Sequence, residues 1–155
     1  MTRPLSRALL AARRDPLLVL LAVRVYLLLI LMRGVVRVLP LRRITDRLGE
    51  SMSETSTDGL APEQIAYARL VGRMIERLAP STPTNSNCYP QALTARWLLH
   101  RRRIPSTVYY GAAFEVGQPA LEAHVWVRSG PVMVTGGGAG RNFRALTWFA
   151  DQPAG

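Results

Sequence analysis

The sequence predicts an α+β fold, with helices in the first part of the chain and an antiparallel sheet in the last part. Three observations support this. Apolar residues recur at helical spacing up to Leu78, a helix with clear boundaries follows Asn87, and runs rich in β-branched and aromatic residues begin at Ser106. The length of 155 residues is enough for one domain with a hydrophobic core.

The N-terminal region, residues 1–50, is predicted to be helical and basic. Residues 1–16 are short and basic, and they predict a first helix or a loose arm. Leu17–Met32 is the most hydrophobic run and is interrupted only by Arg24. A membrane-spanning helix needs about 20 apolar residues, and a central arginine is costly there. We therefore interpret the run as a buried or interface-seeking helix, with membrane association as the alternative.

Two further boundaries divide the N-terminal half. The helical pattern stops at Pro40 and resumes through Leu41–Leu48. Residues 51–59, SMSETSTDG, are small and polar and predict a linker. The catalytic core is assigned to residues 51–155, with this linker at its start. Pro62 then opens a helix with one apolar stripe. The stripe is formed by Ile65, Ala68, Val71, Ile75 and Leu78.

Charge and cysteine content limit the classes of function. The chain has 20 basic residues, all arginine, against 10 acidic ones, and its net charge of +10 favours an acidic partner. Nucleotide bias in the source genome is an equally good explanation of the arginine usage. The single cysteine excludes an internal disulfide and argues against a zinc site. The thiol is then either inert packing or a nucleophile.

Cys88 is predicted to lie in the first turn of a helix. Pro90 is tolerated only within a first turn, so Asn87 or Ser86 is the expected N-cap. The helix is predicted to end near His100 to Arg103. The partial positive charge of a helix N-terminus favours thiolate over thiol, which makes the sulfur a better nucleophile.

Four strands are predicted after this helix, and one of them carries a candidate base. The predicted strands are Ser106–Tyr110, Leu121–Arg128, Val132–Thr135 and Phe143–Phe149. His100 is twelve residues beyond Cys88 on the same helix, about 18 Å away, so the base would be His124. Alternation places His124 on the side of its strand opposite the aliphatic residues, and we expect it to point toward the cysteine helix.

Two segments carry a resemblance to a known family. The segments SNCYPQALTARWLLHRRRIPSTVYYGA and LEAHVWVRSGPVMVTGG resemble the transglutaminase-like cysteine peptidases of lasso peptide biosynthesis, the B2 leader peptidases. The resemblance implies a transglutaminase-like, papain-like cysteine peptidase fold. It also implies that Cys88 is the nucleophile and His124 the general base and acid.

The third catalytic member departs from the family pattern. The family places an aspartate on the strand after the histidine, roughly where Thr135 and Gly136 fall, and the one carboxylate after His124 is Asp151. Thr135 or Asn142 orients the imidazole, or Asp151 folds back, or the enzyme works as a dyad.

Three further residues are candidates for the substrate site. The backbone N–H of Cys88 is the expected oxyanion donor, and Asn85 or Asn87 could add a side-chain amide. Capping is the alternative role of Asn87. Trp126, two residues after His124, is expected to wall the site.

The resemblance implies a cytoplasmic peptidase that removes the leader from a ribosomally made lasso precursor peptide. The implied partners are a separate leader-recognition protein, which the basic N-terminal region would dock, the precursor itself and the lasso cyclase; no nucleic acid is implied. No cofactor is expected: ATP dependence is associated with fused relatives, but the run TGGGAG lacks the Lys and Ser/Thr of a phosphate-binding loop. Two alternatives remain open, a non-catalytic basic module that binds an anionic peptide or membrane, and an acyltransferase.

Overall fold

Apart from a two-residue strand at Glu50–Ser51, which was not predicted, helices precede strands along the described chain, and this is an α+β arrangement. The structure, a computed structural model, describes residues 15–83, 86–113, 122–137 and 143–153. The helices are α1 (Pro16–Val38), α2 (Leu41–Thr45), α3 (Pro62–Leu78) and α4 (Cys88–Arg101), with one 3-10 turn at Ala79–Ser81. The strands are β1 (Glu50–Ser51), β2 (Ser106–Ala113), β3 (Glu122–Ser129), β4 (Val132–Thr135) and β5 (Arg144–Asp151). The arm predicted before Pro16 lies outside the described residues.

Helix α1 is longer than the apolar run that predicted it. Asp15 caps it, accepting hydrogen bonds from Leu17 N at 3.1 Å and Leu18 N at 3.2 Å, and the helix continues for 23 residues until Leu39 leaves the helical conformation. By length and composition α1 could cross a membrane. One stripe, Val25, Leu28 and Leu29, is buried against α3 and α4. The prediction of a buried helix therefore holds for only one side of α1.

Helix α3 approaches the sheet closely. Its predicted apolar stripe is confirmed, because Ala68, Val71 and Ile75 are buried and the two ends of the stripe pack against the core. At Gly72 an added Cβ would lie 2.5 Å from the carbonyl oxygen of Val134. Only a residue without a side chain lets the α3 backbone come this near to β4.

The five strands form one antiparallel sheet in the order β1-β5-β2-β3-β4. The four predicted strands are confirmed; β2 and β5 run further toward the C-terminus than predicted, and Leu121, predicted in β3, lies outside the described residues. Val108 of β2 lies opposite Val127 of β3 and Phe149 of β5, and all three belong to the core. Helix α4 packs on this apolar face.

The segment after β1 covers the other face of the sheet. Thr55 is buried, and its backbone N–H donates to Oγ1 of Thr107 at 2.9 Å. Arg128 of β3 donates to the Thr55 carbonyl at 2.8 Å and to Glu54 at 3.2 Å. The polar composition of residues 51–59 predicts a linker, but these hydrogen bonds fix the segment on the sheet.

Candidate active site

Cys88 begins helix α4, as predicted. Asn87 is the N-cap residue with an extended backbone (φ −76°, ψ −173°), and its carbonyl accepts from the N–H of Gln91 at 3.3 Å. Pro90 is the third helical residue, so its missing N–H costs no helical hydrogen bond. Cys88 is a free cysteine, and the residue is partly exposed. The sulfur therefore lies at the positive end of a 14-residue helix and within reach of solvent.

The loop before Cys88 is held by hydroxyl groups. The Thr82 hydroxyl donates to the Ala79 carbonyl at 2.7 Å, and its oxygen accepts from the N–H of Ser86 at 3.1 Å. The side-chain amide of Gln91 donates to the Ser86 carbonyl at 2.7 Å. These bonds tie α3 to the first turn of α4 and so fix where Cys88 begins its helix.

Two tyrosines join the cysteine end of α4 to the sheet. The ring of Tyr89 meets that of Tyr110 edge-on, with centroids 5.5 Å apart, and Tyr110 meets Phe149 in the same way at 5.9 Å. Burial raises the pKa of Tyr89 and raises that of Tyr110 further. At neutral pH these groups stay protonated, so neither can act as the base for Cys88.

His124 lies near the start of β3, opposite Gly111 of β2. Its Nε2 is 3.4 Å from the carbonyl oxygen of Gly136, so that nitrogen carries the proton in this hydrogen bond. The ring also stacks on Phe143, with centroids 4.7 Å apart, and on Trp126 at 5.9 Å. This arrangement leaves Nδ1 of neutral His124 as the nitrogen that can accept a proton.

The sheet separates the cysteine helix from the imidazole. Val125 lies opposite Tyr110, whose ring contacts Tyr89 of α4, so α4 packs on the Val125 side of β3. His124 points to the other side, and no hydrogen bond joins it to Cys88 in the part of the chain that the structure describes. The prediction that His124 points toward the cysteine helix is therefore wrong, because the helix covers the aliphatic face of β3. Both residues nevertheless lie at the same end of the α4–sheet layer.

Two cavities adjoin the first turn of α4. The larger, about 490 Å³, lies between α3 and β4 and is bordered by Arg69, Arg73 and Gly136; the smaller, about 340 Å³, is bordered by Asn87. Both cavities are lined by Glu76 and Gln91, which makes them neighbouring parts of one groove. The groove therefore runs from the residue before Cys88 to the residue that holds His124.

Comparison with known families identifies the fold. Residues 31–147 match the description "Transglutaminase-like superfamily". The chain belongs to the transglutaminase-like superfamily. The superfamily includes cysteine peptidases and acyltransferases and is generally enzymatic, with chemistry that depends on cysteine. Comparisons with curated proteins and with solved structures found no match.

The candidates for the third catalytic member of this transglutaminase-like chain lie in different places. Thr135 ends β4 with a buried hydroxyl that has no partner among the described residues. Asn142 lies outside the described residues. The Asp151 carboxylate is held at the opposite end of the sheet by His100 Nδ1 at 3.0 Å and Arg96 Nε at 2.9 Å, so it cannot fold back to His124.

The three residues predicted to bind substrate have different outcomes. Asn87 occupies the N-cap position, but its side chain makes no capping hydrogen bond and is exposed. Asn85 lies outside the described residues. Trp126 is buried and stacks on Tyr109 at 5.4 Å, beside His124, and its ring lies against Gly111.

Sequence reasoning missed the two groups that hold the candidate residues. The partner of His124 is a backbone carbonyl, that of Gly136, which no side-chain motif can reveal. The glycine run after β4 was a usable signal, because Gly136 has φ +74° and an added Cβ would lie 2.8 Å from His124 Nε2. Gln91 was overlooked because its role is to hold a loop. No cluster that could bind a metal ion occurs among the described residues.

Proposed function

We propose that this protein is a cytoplasmic cysteine peptidase that removes the leader from a ribosomally made lasso precursor peptide, acting with a separate leader-recognition protein. The observation that carries the proposal is a free, partly exposed cysteine, Cys88, at the start of α4 in a transglutaminase-like chain. The resemblance of the Cys88 and His124 segments to lasso leader peptidases supports the choice of substrate.

In the proposed reaction the sulfur of Cys88 attacks the scissile carbonyl. His124 takes the thiol proton and returns it to the leaving amine, which frees the core peptide and leaves the leader as a thioester on Cys88. Water then attacks the thioester, giving its proton to His124, and the regenerated thiol releases the leader as a free acid. The N–H groups of the first turn of α4 are the nearest donors for the oxyanion.

The dyad needs a local change in β3 before it can act. Residues 122–126 pair with β2 alone among the described strands, because β4 joins β3 only from Val127 onward. A strand segment with one neighbour has half of its ladder hydrogen bonds to lose, which lowers the cost of a shift. Bringing His124 to the α4 side also turns the buried Val125 away from the core, so the bound precursor must supply free energy for this shift. In our proposal the bound precursor stabilises the shifted form, in which Nδ1 of His124 faces Cys88.

In our proposal the precursor binds in the groove beside α4. It is bordered by Asn87, the residue before Cys88, and by Gly136, the residue whose carbonyl accepts from His124. Arg69 and Arg73 lie one turn apart on its α3 wall, and both are exposed. Their guanidinium groups suit an acidic side chain of the peptide.

Replacement of Cys88 by alanine tests the proposal. Purified protein, precursor and recognition protein are mixed, and the released leader is quantified by mass spectrometry. We expect Cys88→Ala to lower the cleavage rate at least about 1,000-fold and His124→Gln to lower it about 100-fold or more. His100→Gln is the matched control, since His100 lies at the other end of α4, and it should retain the rate.

The same assay separates the alternatives. Cleavage that survives in Cys88→Ala would exclude the cysteine mechanism and favour the binding-module alternative. A product that carries an amine in place of the free acid would identify an acyltransferase.

A further inference from the structure

Helix α1 has a second apolar face that the rest of the described protein leaves uncovered. Six aliphatic side chains on this face are more than half exposed. Five belong to α1, and the sixth is the first residue of α2. They are Leu17, Leu20, Leu27, Leu31, Val38 and Leu41. Residues 20, 27, 31 and 38 follow helical spacing, so they form a single stripe along the helix. An exposed aliphatic stripe of this kind marks a surface that binds a membrane or another protein.

The charged residues within the segment that carries this stripe are all cationic. From Pro16 to Thr45 the sequence has no aspartate or glutamate. Arg24 and Arg37 are exposed on α1, and Arg42 and Arg43 are exposed on α2. The binding partner must therefore combine an apolar layer with negative charge beside it.

We propose that the exposed face of α1 seats the protein on the surface of an anionic lipid membrane. The leucines enter the boundary between headgroups and acyl chains, while the arginines reach the phosphate groups beside them. The exposed large apolar residues of α1 are all aliphatic. Protein interfaces are enriched in aromatic residues and in arginine, so it is the purely aliphatic composition of this face that favours lipid. This role goes beyond the proposed peptidase activity and does not depend on it.

The helix lies on the membrane and does not span it. Val25 and Leu29 are fully buried and Leu28 nearly so, and this stripe packs in the core with residues of α3 and α4. A spanning orientation would pull these residues out of the protein core. Lying flat, the helix of 23 residues offers a contact about 35 Å long.

Vesicle sedimentation tests the proposal with the full-length protein. The probes are vesicles of phosphatidylcholine alone and of phosphatidylcholine with an equal part of phosphatidylglycerol. We expect binding to the anionic vesicles and at least about tenfold weaker binding to the neutral ones. The double variant Leu27→Gln/Leu31→Gln should weaken anionic binding at least about tenfold, because two leucines no longer enter the bilayer.

A matched double variant controls for exposed apolar area. Leu146 and Met133 lie on β5 and β4 and are 60% and 46% exposed, close to the 59% of Leu27 and Leu31. Leu146→Gln/Met133→Gln should bind anionic vesicles as the wild type does. Circular dichroism checks that both variants keep their helices.

Four results would overturn the proposal. The wild type could fail to bind anionic vesicles, or the α1 variant could bind them as well as its control does. Gel filtration could instead show a dimer that the α1 variant loses, without vesicle binding, which would make a second copy the occupant. The α1 variant is also assayed for cleavage of the precursor in solution with the recognition protein. Loss of cleavage with vesicle binding retained would overturn the proposal and make the recognition protein the occupant of this face. Loss of vesicle binding with cleavage retained supports the proposal and separates it from the peptidase function.

Discussion

At the scale of single residues, Gly136 leaves room for the ring of His124. The φ of +74° is a backbone conformation that side chains other than glycine rarely adopt, and a Cβ there would lie 2.7 Å from Cβ of Trp126 as well as 2.8 Å from His124 Nε2. The same residue supplies the carbonyl that accepts from the imidazole. One residue therefore sets both the space and the hydrogen bond of the candidate base.

Replacing Gly136 by alanine is expected to lower the free energy of unfolding by about 2 kcal/mol, from the positive φ and the clash together. Gly137→Ala is the control, because its Cβ would meet only the flexible side chain of Met133, 3.0 Å away at Cγ. It should change stability by less than about 0.5 kcal/mol. Urea unfolding measures both. Equal stability of the two variants would contradict the close contact at Gly136.

At the scale of elements, the sheet and helix α4 place the two candidate catalytic residues at one end of the molecule. The Tyr89–Tyr110 contact joins the start of α4 to the middle of β2. At the other end of α4, His100 and Arg96 bind the Asp151 carboxylate of β5. The helix is therefore joined to the sheet at both ends, and the contact at the Tyr89 end lies beside Cys88.

Helix α3 forms one wall of the groove, and Gly72 lets it approach β4. Gly72→Ala should lower the free energy of unfolding by about 1–3 kcal/mol, because the added methyl group would push against the Val134 carbonyl. Gly34 on α1 is the matched glycine, since it also lies within a helix and nothing approaches within 4 Å of its added Cβ. Gly34→Ala should raise stability by about 0.5–1 kcal/mol through helix propensity.

Gly72→Ala and Gly34→Ala are therefore expected to change the free energy of unfolding in opposite directions. Thermal unfolding by circular dichroism measures both variants. A stabilised Gly72→Ala protein would show that α3 and β4 are not in close contact.

At the scale of the whole molecule, the sequence predicts the order of the helices and strands better than it predicts which faces of these elements pack together. Pro90, Pro62 and Pro40 mark helix boundaries through local sterics, and the structure confirms all three. Alternation in LEAHVWVR also assigns the two sides of β3. It cannot say which side α4 covers, because that depends on how distant elements pack. The prediction for the direction of His124 failed for this reason.

The same limit applies to α1 and to the third catalytic member. The hydrophobicity of Leu17–Met32 predicts a helix, but burial on one side and exposure on the other depend on the size of the core. For His124, the family resemblance implies a side-chain partner, but in the structure the partner is the main-chain carbonyl of Gly136. Main-chain groups are present at every position, so their use leaves no trace in residue identity.

The proposed mechanism requires Cys88 to form a covalent bond with its substrate. The reaction of protein, precursor and recognition protein is quenched with acid and analysed by intact-protein and peptide mass spectrometry. We expect a mass increase equal to the leader acyl group, located on the peptide that contains Cys88 and absent in Cys88→Ala. Leader cleavage by the wild type with an adduct on another residue, or cleavage that continues in Cys88→Ala, would contradict it.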